Sequence, residues 1–546
     1  MTQVHEESGG TWRCLRRTVL RSPDSTALLT DGGAVTYRRL AADVEDLAGT
    51  LVHLDVRPGD HVALAAGNTY RWIVAYFAIA RAGAVSVLLN TRWSEDEFAH
   101  ALRLTRARFV LFEPKVRTRD VSSILAAVAG RTPLFSLGDS GPPGAVLLDE
   151  VTARTRATAG SMTAELDRRT DLVRPCDVAE MIFTSGSTGF PKAAVLRHGG
   201  VIANAANFTR RLRIGPGDRW CSGLPFFHIG GSLWGLLGCV LRGATLVYLE
   251  AFEAELALAT IERHRCTVHF AVATMIHDEL RRDVRRFDLS SLRVCAAGAN
   301  PALRREVRRL YRVPTVLSMW GLTEAHGNVT LTGPGDTLWD QDNTFGRPHH
   351  GIEVAVADPA TGRVLGPDTE GELLVRGDCV FGGYYDDPAA TARSIDEQGW
   401  LHTGDTGALL PGGQVVYTGR LGEKIRVGGE NVSVTEVEAV LESHPAVEQC
   451  YAVGVPDPRL EEVPIAFVRV LPGAAPDVTE LQDYCRSRLA DFKRPRRIVL
   501  VDDFPRGAAG RVSKSQLRGR GAALWPDVSP DVSPDVSEVG RWTPAS

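Results

Sequence analysis

Residues Met181–Lys192 read MIFTSGSTGFPK, an apolar strand-like run (Val178–Phe183) that opens into small, hydroxyl-bearing residues and then a lysine. Thr184, Ser185, Gly186, Ser187, Thr188 and Gly189 carry little bulk, so backbone N–H groups can close on an anion. Their four hydroxyls add donors and Lys192 adds a charge. This is chemistry for handling phosphate. It is not a Walker A loop, because no Gly-Lys-Ser/Thr leads straight into a helix, and Ala193–Leu196 reads as a strand. A Ser/Gly surface loop is the plain alternative.

Further candidates follow in order. Leu224–Gly231 reads LPFFHIGG, with His228 beside two phenylalanines. Gly298, Ala299 and Asn300 form a small-residue turn before Pro301, and Trp320-Gly321-Leu322-Thr323-Glu324 joins an aromatic to a hydroxyl and a carboxylate. Hard cations prefer oxygen ligands and bridge phosphates with one or two carboxylates, so one Glu beside a phosphate loop is chemically sufficient. Asp405, in Trp400–Asp405, and Arg420, in Tyr417–Arg420, suit charge-assisted pairing with a diol. Each alone reads equally well as a core histidine, a packed aromatic or a surface charge.

In this order, from about Trp12 to Arg518, the motifs resemble the adenylate-forming superfamily of acyl- and aryl-CoA synthetases, peptide-synthetase adenylation domains and luciferases. The resemblance implies that Thr184–Gly189 and Lys192 hold the ATP phosphates, and that Gly298, Ala299 and Asn300 run along the adenine. It gives Trp320 and Gly321 a place beside the base and the acid, and Thr323 a contact with the α-phosphate. Glu324, with Thr184, is expected to hold Mg²⁺, and Asp405 and Arg420 the ribose. His228, Gly298 and Gly321 border the acid pocket in this reading. Gly428-Gly429 passes near the pantetheine arm of coenzyme A. The implied activity is ATP-dependent conversion of a small aryl or short acyl acid into its adenylate, then transfer to CoA or to the thiol of a separate carrier protein. Small-domain rotation between these half-reactions keeps a reactive mixed anhydride from water.

Four positions depart from the family pattern, the first being Trp320, where Tyr is usual, which keeps a stacking face and loses the hydroxyl. Ala193 stands where Gly is usual, a small change. Gly422 replaces the Asp or Lys of the hinge two residues after Arg420, which keeps backbone freedom and removes a side chain. Arg511 replaces the lysine of the PxxxxGK segment, here Pro505–Arg511, that neutralises charge during adenylation. Arg is planar and forked, not a neutral exchange for a point charge. Three readings stay open: the same work done more slowly, a pocket reshaped for an unusual nucleophile, or loss of the first step. Related chemistry with nitrite or with an amine acceptor is therefore an alternative, and a non-catalytic nucleotide-binding protein is a third.

These residues need an α/β scaffold. Short apolar runs, His61–Ala66, Ala84–Leu89, Arg108–Phe112 and Thr245–Leu249, read as buried strands. Tyr37–Leu54, Glu95–Leu104 and Ala254–Arg265 read as amphipathic helices that cover them. Val354–Ala357 and Gly371–Arg376 predict a more β-rich part before Arg420. After it come helix Thr435–Ser443, strands Gln449–Val453 and Ile465–Val470, and helix Val478–Leu489. The expected organisation is a large domain, 1–420, a small mobile α/β domain, 421–520, and a disordered tail, 521–546, with three PDVS repeats.

At 546 residues the chain is too long for one core. With 62 basic and 66 acidic residues the net charge is −4, which argues against broad nucleic-acid binding. Nine scattered cysteines without a CxxC pair fit a reduced compartment. The polar start, Met1–Gly10, is unlike a signal peptide, and no apolar run reaches a membrane span. A cytoplasmic enzyme acting on a small-molecule acid or amine, with no nucleic-acid or membrane partner, is the expectation.

Overall fold

The computed structural model describes residues 10–30, 32–156, 159–184, 190–297, 301–421, 424–471, 473–505, 512 and 514–525. The chain divides into two compact units. One comprises Met1–Thr91, Phe98–Phe183 and Ala193–Leu421; the other comprises Arg92–Glu97, Thr184–Lys192 and Gly422–Ser546.

The first unit is built on two seven-stranded sheets. One runs in the order Thr315–Leu317, Val294–Ala297, Val268–Ala271, Arg219–Ser222, Thr245–Tyr248, Thr26–Thr30, Gly33–Thr36, parallel except for its last hairpin. The other runs Lys192–Arg197, Val178–Thr184, Val85–Leu88, His61–Ala65, Phe109–Phe112, Leu134–Ser136, Val146–Leu147. Strands buried on both faces carry unbroken apolar runs, as residues 62–65 and Phe109–Phe112 do. Helices Tyr37–His53, Glu95–Thr105 and Ala254–His264 lie within a residue of the expected bounds. Helix Tyr70–Arg81 is different: capped by Thr69, whose hydroxyl accepts from Trp72 N at 3.2 Å, it is buried from Trp72 to Arg81. Facing this helix, Glu180 on strand Val178–Thr184 is fully buried near the Tyr76 hydroxyl. Neither carboxyl oxygen of Glu180 has a well-formed hydrogen bond, and burial pushes its pKa up to about 7.

Two smaller antiparallel sheets complete this unit. Met319–Leu322 pairs with Gly327–Leu331, which pairs with Arg347–Pro348. Ile352–Ala357, Gly371–Gly377, Leu401–Leu409 and Val415–Arg420 form the β-rich part.

The second unit centres on the long hairpin Val447–Asp457 and Glu461–Val470, with Arg497–Leu500 parallel to the latter strand. Helices Val434–Glu442 and Val478–Arg488 cover it. Helix Lys514–Leu524 runs past the boundary expected at 520, because Leu517 and Leu524 pack with Val453, Val455 and Phe504. Trp525 Nε1 then donates to Asp457 Oδ2 at 3.1 Å. The PDVS repeats lie outside the described residues. None of the nine cysteines is in a disulfide; Cys176 is exposed and the other eight are buried.

Candidate active site

The Trp320–Glu324 segment is held from below by its own sheet. Gly321 stands against Gly327 and Asn328, and a Cβ there would meet the Gly327 carbonyl oxygen at 2.0 Å. Glycine is therefore required by strand contact alone, whatever else the position does. The chain then turns through Thr323–Ala325, with Thr323 half-buried and His326 in the left-handed conformation (φ 54°).

Glu324 is nearly buried, at 7% exposure, and is fixed at two points. Its carbonyl accepts from Phe381 N at 2.9 Å, and its Oε1 accepts from the Tyr384 hydroxyl at 2.8 Å. The segment that supplies both groups also grips strand Lys192–Arg197. Gly382 N donates to Val195 O at 2.8 Å, Val195 N to Gly383 O at 2.9 Å, and Tyr385 N to Ala193 O at 2.8 Å. His326 adds a second tie, its Nε2 accepting from Arg197 N at 2.9 Å while Nδ1 lies 2.6 Å from Cys379 O. Burial pulls the His326 pKa down to about 4, which agrees with a neutral ring that accepts at Nε2 and donates at Nδ1.

Asp405 lies on strand Leu401–Leu409, opposite Arg420 in the register. It is 1% exposed, and its Oδ2 accepts from Trp320 Nε1 at 2.8 Å. Its backbone N–H donates to Thr403 Oγ1 at 3.1 Å, and that hydroxyl donates onward to Leu373 O at 2.6 Å. The indole itself is 5% exposed.

His228 is half-buried, its ring centroid 4.6 Å from that of Phe227. Its carbonyl accepts from the N–H groups of Gly231 and Ser232 at 3.0 Å each, opening a π-helical stretch, Gly230–Leu237. Such wide turns recur at functional sites. Trp234 on this stretch stacks on Phe208, with 5.2 Å between centroids and 5° between planes. Its Nε1 donates to Asn204 Oδ1 at 3.1 Å, and Asn204 Nδ2 donates to Asn328 O at 2.7 Å. The wall beside His228 is thereby tied to the strand that supports Gly321.

Residues 15–385 match the model of the AMP-binding enzyme family, and residues 436–511 match that of the AMP-binding enzyme C-terminal domain. The chain belongs to the AMP-binding enzyme family. It is 38% identical over 526 residues to a methyl-dioxo-octahydroindenyl-propanoyl:CoA ligase of Mycobacterium tuberculosis, covering 93% of this chain and 98% of that one. Among solved structures, the amide bond synthetase McbA of Marinactinospora thermotolerans superposes with a TM-score of 0.80 at 29% identity, covering 94% of this chain and 99% of that one. The o-succinylbenzoate CoA synthetase of Bacillus subtilis superposes with a TM-score of 0.78 at 27% identity, covering 94% and 99%. The chain is an AMP-forming ligase, an enzyme of ATP-dependent acid activation.

For an AMP-binding enzyme, several expected site residues lie outside the described ones: Ser185, Gly186, Ser187, Thr188, Gly189, Gly298, Ala299, Asn300, Gly422 and Arg511. Thr184 closes strand Val178–Thr184, Lys192 opens strand Lys192–Arg197, and Arg420 closes strand Val415–Arg420. In the second unit Lys514 donates to Glu438 Oε1 at 3.1 Å and its Nζ lies 5.6 Å from the centre of the Tyr451 ring. It is a packing lysine in this arrangement.

Among the described residues, no group of three His, Cys, Asp or Glu could hold a metal ion unaided. A single oriented carboxylate, Glu324, fits a cation that takes most of its oxygens from a nucleotide. No described helix is long and apolar enough to cross a membrane. Sequence reasoning missed Tyr384 altogether. The only hint was its place after Gly382-Gly383, and nothing in that spacing points to Glu324.

Proposed function

We propose that this AMP-forming ligase activates a small carboxylic acid that carries a ring or a short chain. A carboxylate oxygen attacks the α-phosphorus of ATP, pyrophosphate leaves, and a thiol sulfur then attacks the acyl carbon and expels AMP. Coenzyme A is the proposed thiol, with a separate carrier protein as the variant. The two relatives named for acids, an indenyl-propanoate and o-succinylbenzoate, both act on ring-bearing carboxylates, which supports this substrate class.

The reading assigns the phosphates to Thr184, Ser185, Gly186, Ser187, Thr188, Gly189 and Lys192, and the adenine to the segment around Ala299 and Asn300. Asp405 and Arg420 take the ribose hydroxyls, and Thr323 the α-phosphate. His228, with Gly298 and Gly321, faces the acid, and Arg511 carries the positive charge near the reacting oxygens. Glu324, held by Tyr384, is the carboxylate for Mg²⁺, which screens phosphate charge when bound. The large domain ends at Arg420 and the small domain runs from 421 through the helix Lys514–Leu524 in this proposal, and the enzyme works in the cytoplasm.

The observation that carries the reading is a pair of near-buried carboxylates, Glu324 and Asp405, each oriented by an aromatic donor, at the family's cation and ribose positions. A second reading, transfer to an amine, is favoured by one observation: the fold likeness to an amide bond synthetase. One screen tests both. Aryl, short-chain and ring-bearing propanoic acids are offered with ATP and Mg²⁺, and pyrophosphate release is followed. Product mass is then read with CoA or with amines as acceptor. Acid-dependent pyrophosphate release and a CoA thioester are expected; amide as the only product establishes the second reading. No release with any acid overturns both.

A further inference from the structure

We infer that Trp320 is a positioning residue for nucleotide selectivity, fixing the carboxylate of Asp405 through its indole N–H rather than serving only as a ring beside the base. The inference rests on the ribose role proposed for Asp405.

The geometry is specific. Asp405 is 1% exposed, and a buried carboxylate is costly unless hydrogen-bonded. Trp320 Nε1 meets its Oδ2 at 2.8 Å, within the range of a charge-assisted hydrogen bond. The donor is immobile for three reasons. The indole is 5% exposed, so its rotamer is set by packing. Its strand is locked through the contact of Gly321 with Gly327. Its carbonyl faces Asn328 Nδ2 at 3.4 Å, while Asn328 Oδ1 lies 2.5 Å from His349 Nε2 and Asn328 N donates to Asn204 Oδ1 at 3.3 Å. On the acceptor side, the Thr403 hydroxyl holds the Asp405 backbone.

Two strands whose bonded residues lie 85 apart in sequence therefore meet at this N–H···O bond. Among the rings of Phe, Tyr and Trp, only the indole offers this donor. Phenylalanine has none, and tyrosine carries its hydroxyl at the far tip of the ring, along the ring axis instead of at its edge. The choice of Trp at 320 fixes the direction in which the Asp405 oxygens face. The directional pairing of a carboxylate with a diol depends on that direction.

The test compares ATP with 2′,3′-dideoxyATP, which lacks both ribose hydroxyls, by calorimetric binding to the full chain. Wild type, Trp320→Phe, Trp320→Tyr and Asp405→Asn are measured, each first checked for a cooperative thermal transition. The wild type is expected to prefer ATP, and Asp405→Asn to lose that preference. Both Trp320 variants are expected to reduce it about tenfold, the scale of one hydrogen bond to a charged group. The ratio of the two affinities is the readout, because loss of packing or of the ring beside the base weakens both nucleotides alike and leaves that ratio unchanged.

If the wild type binds the two nucleotides equally, the ribose reading of Asp405 fails and takes the inference with it. If Asp405→Asn loses the preference while either folded Trp320 variant keeps it in full, the inference alone is overturned. Should neither Trp320 variant fold, the wild type decides. Among its ten ¹⁵N-labelled indoles, one N–H resonance must take a different position with ATP than with dideoxyATP. Absence of such a resonance overturns the inference.

Discussion

The Tyr384 hydroxyl donates to Oε1 of Glu324 at 2.8 Å, across 60 residues of sequence. The same short segment bonds the backbone of Glu324 and the strand Lys192–Arg197, so one strap sets both the main chain and the carboxylate of the proposed cation ligand. Tyr384→Phe removes only the side-chain tie. The variant should need about tenfold more Mg²⁺ for half-maximal pyrophosphate release, the effect of one hydrogen bond to a charged group. Its binding of ATP without metal should be unchanged. An unaltered Mg²⁺ titration would show that the tyrosine is there for packing.

Gly321→Ala tests whether the strand contact dominates that position. The added methyl meets backbone atoms, the Gly327 carbonyl oxygen at 2.0 Å and Asn328 Cα at 2.8 Å, so the two strands must separate. A loss of about 3 kcal/mol in unfolding free energy is expected, within the overpacking range. Adenylation should fall with it, because Trp320, Thr323 and Glu324 ride on the displaced strand. Denaturant unfolding and pyrophosphate release read the two effects separately.

Glu180 gives a stability prediction with a defined sign. Burial lifts its pKa to about 7 in the fold, against an ordinary value of 4.5. The folded state thus binds this proton more tightly than the unfolded chain. The stability it contributes is complete below about pH 4.5 and is lost as pH rises through about 7. Glu180→Gln, neutral at every pH, should match the wild type near pH 4. Towards pH 8 it should become more stable by about 3 kcal/mol, from a shift of roughly 2.5 units. Equal pH profiles for the two proteins would rule out a protonated Glu180.

Arg511→Ala addresses the substituted lysine. Removing one preorganised charge commonly costs about 10² to 10³ in rate. Single-turnover adenylate formation should fall by that factor, while transfer from a supplied adenylate should hardly change. Arg511→Lys should retain the first step if a point charge is all that is needed. An alanine variant as fast as the parent would remove Arg511 from the reaction.

Much of this was readable from local sequence. Apolar runs such as His61–Ala65 fall within a residue of their expected strands, because a strand buried on both faces leaves no choice of residue type. The order of the motifs around Glu324 and Asp405 likewise carried the family. What local sequence could not carry is pairing at a distance. Trp320 read as a ring for stacking, and nothing near it indicates that its N–H meets Asp405, since that contact arises only when two sheets come together. Nor does the local sequence announce the wide helix over the glycine-rich Gly230–Leu237, where Trp234 packs against Phe208 and Phe270.

The cysteine inventory has a practical consequence. With one thiol at the surface and eight inside, a maleimide dye added to the native enzyme should attach at Cys176 alone, so a single-site fluorophore needs no engineered background. The same reagent becomes a counter of opening. Each further equivalent taken up under mild denaturant marks the moment when a particular part of the interior first admits water, with Cys450 and Cys485 speaking for the second unit and Cys221, Cys266 and Cys295 for the first.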